Sequence, residues 1–429
     1  MYKKLAISML TGTAATMAAS PVLAAEPDWS KVPTSTLTLF YPGISSYQWL
    51  RTPDHKRAQK ETQEGQACTN CHKNDEKTIG NKLVKEGPLE PTPVSGKNGY
   101  VDVKLQVAYD DKNAYFRYQW KTQGDANIEY PYYRFDGKEW KRYGGPRLDQ
   151  AVQDGKQPPL YEARMSIMID DGKVPMFKEQ GCWLTCHEGM RDVNPATKEE
   201  VAANAAMKAY KREDVRKYLP ASRTDVSDWK TGKSLEEIAK IKAAGGFVDL
   251  IQWRAHRSNP MGYADDGYVL EWRNFDAGKK MFDANLDKAT KQPKFMFDAG
   301  KFGAKAVTAA QVGKKDNFLI KGVNAVPFNP GAGWKEGDLL PLYVLTKEVE
   351  GSVVDNKASG AWKDGLWTVV MTRPLGLAND DDKTLKEGGV YSVGFAVHDD
   401  QITTRGHHVS FPKTLGFGAK ADIQAVKVK

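Results

Sequence analysis

Past its N-terminus the chain lacks any run approaching the ~18 apolar residues of a membrane-spanning helix, so no later segment reads as an anchor. It also lacks a basic cluster. Its 62 lysines and arginines are spread along the whole length against 54 acidic residues. The formal charge of +8 therefore describes a solvated surface that favours acidic protein partners, and not a nucleic-acid footprint. No internal repeat or low-complexity tract organises it. Cysteine is the scarcest informative residue, with 4 in 429, at Cys68, Cys71, Cys182 and Cys186.

What is present begins with an export signal. Lys3 and Lys4 form a positive start, Leu5 to Met17 is modestly apolar, and Ala18 to Ala25 is rich in small residues. Val22-Leu23-Ala24 suits a signal peptidase, which places cleavage after Ala24 or Ala25 and the mature chain in the periplasm with no membrane span. Losing Lys3 and Lys4 lowers the charge from +8 to about +6.

An exported chain with an even number of cysteines ordinarily suggests disulfides. Here each pair runs directly into a histidine. Cys68-Thr69-Asn70-Cys71-His72 is a C-x-x-C-H sequence, the pattern of c-type haem attachment. One short turn carries both thiols to the two vinyl groups on one edge of the macrocycle, and the next residue falls beneath the iron as proximal ligand. A thioredoxin-like pair gives His72 no role, and a zinc knuckle needs a second ligand pair close by. Cys182-Trp183-Leu184-Thr185-Cys186-His187 repeats the pattern with one extra residue. A disulfide there would close a very small loop and stabilise little. The expected cofactors are thus two covalent c haems, with His72 and His187 on the irons.

A low-spin electron-transfer haem needs a sixth ligand, histidine or methionine. His55, just upstream of the first motif, can fold back over the far face of that haem. In Arg405-Gly406-His407-His408 adjacent strand residues point to opposite faces, so one of the two faces a buried haem, and His407 is favoured. His256, His398 and His408 compete, and Met165, Met168 and Met261 keep a His/Met pairing open.

Residues 26–95 read as an N-terminal c-haem unit of loops and short helices, closed by the Pro-rich stretch 86–93. Beyond it the hydrophobic period changes to two. Val101 to Tyr109 and Ala114 to Trp120 alternate around the Asp110-Asp111-Lys112-Asn113 turn, a hairpin with one buried face. Further strands are expected at 163–169, 247–254, 268–273, 366–372, 390–398 and 408–411. Capping boxes at Thr197/Glu200 and Ser234/Glu237 open helices, the first running to about Tyr218 and the second stopping at Gly245-Gly246. Residues 96–429 therefore read as a β-sandwich haem-binding domain with a helical insertion at about 196–246, mainly β overall. The acidic pairs Asp170-Asp171 and Asp265-Asp266 read as turns rather than as calcium loops.

From about residue 98 onward the chain resembles the haem-binding domain of the ethylbenzene dehydrogenase γ-subunit type, which is also associated with dimethyl-sulfoxide-reductase-like enzymes. The likeness rests on the 101–120 hairpin, on 165–172 with Gly181-Cys182, and on 253–257, 262–268, 334–338 and 405–412. It implies a β-sandwich that holds one haem between its loops and exchanges electrons with a molybdenum enzyme or a membrane chain. Members hold a non-covalent b haem through methionine and lysine. Cys182, Cys186 and His187 depart from that pattern, and the N-terminal unit looks like an addition found in di-haem relatives. A weaker likeness to family 9 carbohydrate-binding modules leaves the haem motifs without a purpose.

The sequence thus points to a periplasmic di-haem cytochrome that passes electrons to or from a redox protein, such as a molybdenum reductase or dehydrogenase or a quinol-linked cytochrome. The alternative is a haem enzyme with an open coordination site that reduces a small oxyanion or peroxide, with Arg257, Asp399 and Arg405 as candidate proton donors. Spare histidines favour electron transfer, which leaves no residue with a catalytic role.

Overall fold

Strands form where the sequence alternates, and they assemble into a mainly β architecture. The computed structural model describes residues 26–56, 58–122, 124–145, 149–314, 316–377, 379–399 and 406–429. The expected export segment and Arg405 lie outside the described residues. Among the described residues, 13 strands share one hydrogen-bonded network. They are β1 (Ser35–Phe40), β2 (Tyr100–Tyr109), β3 (Asn113–Lys121), β4 (Arg164–Asp170), β5 (Val248–Arg254), β6 (Gly267–Val269), β7 (Arg273–Phe275), β8 (Lys357–Lys363), β9 (Leu366–Pro374), β10 (Val390–His398), β11 (His407–Val409), β12 (Lys413–Phe417) and β13 (Ile423–Lys427).

These strands make two facing layers. One runs β8–β9–β3–β2 and the other β10–β4–β5–β6–β7. β1 and β11 bridge β2 to β10 from one side, and β13 and β12 bridge the same two strands from the other. The core lies between the layers. Val103, Leu105, Val107, Phe116, Tyr118 and Trp120 face Met165, Ile167, Ile169, Trp253, Val393 and Phe395 across it. Trp120, Trp253 and Trp367 pack mutually with ring centroids 5.0–6.3 Å apart. Each such ring removes about 150–250 Å² from water, on the order of 4–6 kcal/mol before entropy is subtracted. β8 fits beside them because residue 360 is glycine: a Cβ there would lie 2.3 Å from the Trp253 ring.

β4 and β5 are buried along their whole length. Their inward residues enter the sandwich core, while Met168, Val248 and Leu250 face a second cluster with Phe177, Leu184, Met207, Tyr218 and Ile238. The segment between β4 and β5 thus forms a third layer over the outer face. The helix capped by Ser234 runs Leu235–Ala243 with its capping box formed. The helix expected from Thr197 to about Tyr218 is instead two short ones, Lys198–Ala203 and Ala205–Ala209. Asn204 sits between them in an extended conformation and accepts the Met207 N–H through its side chain, so a capping residue interrupts what the apolar period would have continued.

The strand expected at 268–273 is likewise split into β6 and β7, with the Leu270 N–H bonded to the Trp272 carbonyl at 3.1 Å. The final strand expected at 408–411 spans His407–Val409. Residues 26–95 hold short helices and loops but also β1, whose register against β2 (Leu37 opposite Val103) builds this segment into the main sheet. A separate apolar cluster gathers Tyr132, Leu160, Phe297, Leu319 and Leu340 outside the sandwich, in a lobe whose strands are only three or four residues long.

Candidate haem-binding sites

The first motif forms a single 3-10 turn, Cys68–Asn70, and the His72 N–H closes onto the Cys68 carbonyl at 3.0 Å. Upstream, a short helix, Tyr47–Leu50, is capped by Ser46, whose hydroxyl accepts the Trp49 N–H at 2.9 Å. The chain then turns through Thr52 so that His55 comes back over the motif. The His55 and His72 rings stand 6.2 Å apart with planes 15° from parallel. His55 Nδ1 lies 2.9 Å from the Leu50 carbonyl. A carbonyl only accepts, so Nδ1 carries the proton and Nε2 keeps its lone pair. His72 presents Nδ1 to the Asp75 carboxylate at 3.6 Å, an arrangement that orients a metal-binding imidazole. Burial lowers the His55 pKa, and the nearby His72 adds to the shift.

Between and around these rings lies a cleft with about 1200 Å³ of empty space, part of it continuous with solvent. Its wall is apolar: Phe40, Leu50, Ile79, Leu83, Trp183 and Phe411. Among the described residues that line it there is no methionine. Met165 is in the sandwich core, Met168 under the insertion, and Met261 in a third cluster. Two metal–nitrogen bonds of about 2 Å, plus about 1.1 Å from each nitrogen to its ring centre, sum to about 6 Å. The centroid spacing of His55 and His72 therefore equals that of two imidazoles on one iron, and Cys68 and Cys71 of the motif line the same cleft.

The second motif has a different environment. Gly181–Thr185 forms a 3-10 turn, entered through Gly181 at φ 57°, where a Cβ would come within 2.8 Å of Pro412. His187 is 1% exposed and lies flat on Tyr218, with centroids 3.7 Å apart and planes 7° from parallel. Its Nε2 reaches the carbonyls of Leu184 at 3.0 Å and Tyr218 at 3.1 Å, which makes Nε2 the protonated nitrogen. Its Nδ1 then accepts from the Gln48 side-chain amide at 2.7 Å. Burial drives its pKa down to about 3, against the pull of the two carbonyls. Both nitrogens are thus engaged by the protein, and His187 in this arrangement does not fit an iron. Cys182 and Cys186 form no disulfide with each other.

Near this motif lies a half-buried histidine pair. His398 and His407 are register partners on β10 and β11, with centroids 5.1 Å apart, and among the described residues neither Nδ1 has a hydrogen-bond partner. Lys217 links the pair to the motif. Its ammonium donates to Thr185 Oγ at 3.0 Å and lies 3.9 Å from Cys186 Sγ, and its charge depresses both histidines after burial has done so. His408 points the other way, as strand alternation requires, and its Nε2 donates to the Asn98 carbonyl at 2.8 Å. His256 sits apart from both motifs, against Tyr130 and Phe318 beside the Glu162–Arg257 ion pair.

Sequence reasoning missed how the two motifs meet. Cys68 and Cys182 pack against one cluster of Phe40, Trp183, Val409 and Phe411. Trp183, inside the second motif, stacks on Phe40 and Phe411 at 5.7 Å and stands in the wall of the first cleft. The Tyr47 N–H also donates to the Cys186 carbonyl at 2.8 Å, so the helix before His55 is tied to the second motif.

Fold and site together define a β-sandwich whose loops carry histidine-terminated cysteine pairs beside an apolar cleft. The chain belongs to the ethylbenzene dehydrogenase family, whose model matches residues 26–410. The match begins well before residue 98 and so takes in the first motif and β1. Cytochrome c-552 of Stutzerimonas stutzeri is 26% identical over 417 residues, covering 97% of this chain and 94% of that protein. Cytochrome c-551 of Rhodocyclus tenuis is 27% identical over 222 residues, 51% of this chain and 74% of that protein. Among the described residues no helix is long and apolar enough to cross a membrane.

Proposed function

We propose that this protein is a periplasmic c-type cytochrome that carries electrons, with one haem bound through Cys68 and Cys71 and held between His72 and His55. The observation that carries this reading is the 6.2 Å, near-parallel stand-off of the two imidazoles over an apolar cleft. Bound there, the haem supplies a one-electron ferric/ferrous couple. The Leu50 carbonyl and the Asp75 carboxylate fix the tautomer and bearing of the two ligands. Phe40, Trp183 and Phe411 exclude water from one side, which disfavours the more charged oxidised state. Cys71, exposed at the lip, marks the edge nearest a partner. The cytochrome names of the relatives agree with this reading.

A second covalent haem on Cys182 and Cys186 rests on the motif and on the nearby His398 and His407, whose Nδ1 atoms have no hydrogen-bond partner among the described residues. Seating it on His187 requires that ring to leave Tyr218 and Gln48. The partner is a redox protein with an acidic docking face, such as a molybdenum oxidoreductase or a quinol-linked cytochrome. With His72 and His55 both holding the iron, no position would be left open for a substrate, which separates this reading from a haem enzyme.

Intact mass and the visible spectrum of the protein, matured in a host that attaches c haems, test it. Two added haems and a low-spin spectrum unchanged by cyanide are expected. One added haem removes the second site. A high-spin iron that binds cyanide replaces the carrier with the enzyme, and no added haem refutes the cytochrome.

A further inference from the structure

Far along the sequence from both haem motifs, five aspartates come together at one end of the sandwich. Asp249 is on β5, Asp266 precedes β6, Asp276 follows β7, and Asp381 and Asp382 lie on the loop between β9 and β10. None is more than 7% exposed. Oxygens of Asp249, Asp266 and Asp382 lie within 4.8 Å of one another, and so do those of Asp276, Asp381 and Asp382. Two ligands each about 2.4 Å from a shared calcium ion are at most about 4.8 Å apart, so each triad has the span of one coordination shell.

The first triad has partners. Arg373 pairs with Asp249 at 2.5 Å and with Asp382 at 3.6 Å, the Lys383 N–H donates to Asp249 at 2.9 Å, and the Asn356 side-chain amide donates to Asp266. The second triad does not balance. Both oxygens of the Asp276 carboxylate are buried with no hydrogen-bond partner, and among the described residues no cation pairs with it. Asp381 has one oxygen fixed by the Ala277 N–H and the Ser352 hydroxyl, each at 3.0 Å. Five buried carboxylates with one guanidinium in ion-pair contact among the described residues, and Lys242 and Lys383 acting only at longer range, are strongly unfavourable unless they are protonated or bind a cation.

We propose that Asp276, Asp381 and Asp382 bind one calcium ion, a structural cation that ties the β5–β6–β7 edge of one layer to the β9–β10 loop of the sandwich. An all-oxygen donor set selects a hard cation, and carboxylates arriving from separate loops suit the flexible shell of calcium better than the strict octahedron of magnesium. The site is independent of the haem reading, because none of its residues touches either motif.

The test uses the whole haem-loaded protein, stripped with EDTA and titrated with calcium chloride in a calorimeter. One calcium per chain, a Tm that rises on adding calcium, and at least tenfold weaker binding in Asp276→Asn support the site. No binding heat and a Tm unmoved by EDTA or calcium overturn it, as does an Asp276→Asn protein that binds calcium like its parent. Should that variant fail to fold, elemental analysis of the unmodified protein decides: calcium retained at about one per chain through gel filtration supports the site, and its absence overturns it.

Discussion

The two cysteine motifs share a sequence pattern and differ in what the protein does with the histidine. At the first, His72 is partly exposed, His55 faces it across a gap, and each presents its Nδ1 side to a fixed oxygen. At the second, His187 is buried, hydrogen-bonded at both nitrogens and covered by Tyr218. The difference teaches that a motif names a chemistry while its surroundings decide readiness. One histidine borders an open cleft, and the other has both ring nitrogens met by the chain itself.

The largest expected effect removes one site outright. A Cys68→Ser, Cys71→Ser protein is expected to lose a whole haem in its intact mass. Cys182→Ser with Cys186→Ser is expected to lose the other, and no loss there would confine haem to the first motif. Next in size is a change remote from both. Trp367→Ala in the sandwich core should cost about 3–5 kcal/mol in chemical denaturation. The spectrum of the folded fraction should stay unchanged, because Trp367 touches neither motif. A spectral change would show that the comparison depends on the shared frame.

His55→Ala keeps both thioethers and is expected to turn one haem from low to high spin and open it to cyanide. His256→Ala is expected to leave the spectrum alone. If His55→Ala stays low-spin, the sixth ligand comes from elsewhere.

The pH response sharpens the contrast for the second site. In a haem-free protein with all four cysteines changed to serine, the same burial that drives the His187 pKa down to about 3 is expected to keep it below its unfolded value near 6.5. Above pH ~6.5 it costs nothing. As pH falls from there toward ~3 the unfolded state takes up a proton that the folded state refuses, and stability drops by about 1.4 kcal/mol per unit. Replacing His187 with glutamine should remove that part of the slope, measured by urea denaturation across the range. The smallest effect comes from Tyr218→Leu, which takes away the stacked ring and should free His187. A modest stability loss of about 1 kcal/mol is expected, with faster haem loading at the second motif in a reconstitution assay.

Much of the frame was legible because alternation is a local signal. The hairpin of β2 and β3, together with β4, β5, β9 and β10, all appear where Val, Ile, Tyr and Trp recur at every second position. β1 carried the same signal in Thr36-Leu37-Thr38-Leu39 but stood inside a segment dominated by the haem motif. The helix after Thr197 was misjudged because Asn204 competes for the backbone, which a smooth apolar period conceals. The short strands near 132–143 and 282–345 left too few alternations to read.

By itself the sequence determined the chemistry on offer: cysteine pairs that end in histidine, a β period, and a surface of dispersed lysine. These are properties of neighbours along the chain. Only the tertiary structure decided that His55 faces His72, that Tyr218 and Gln48 occupy His187, that Trp183 serves the other site, and that five aspartates converge. Each of those pairs residues far apart in sequence or set by a turn's exact path. Such contacts are chosen by burial and register across the whole sandwich, which no local pattern encodes.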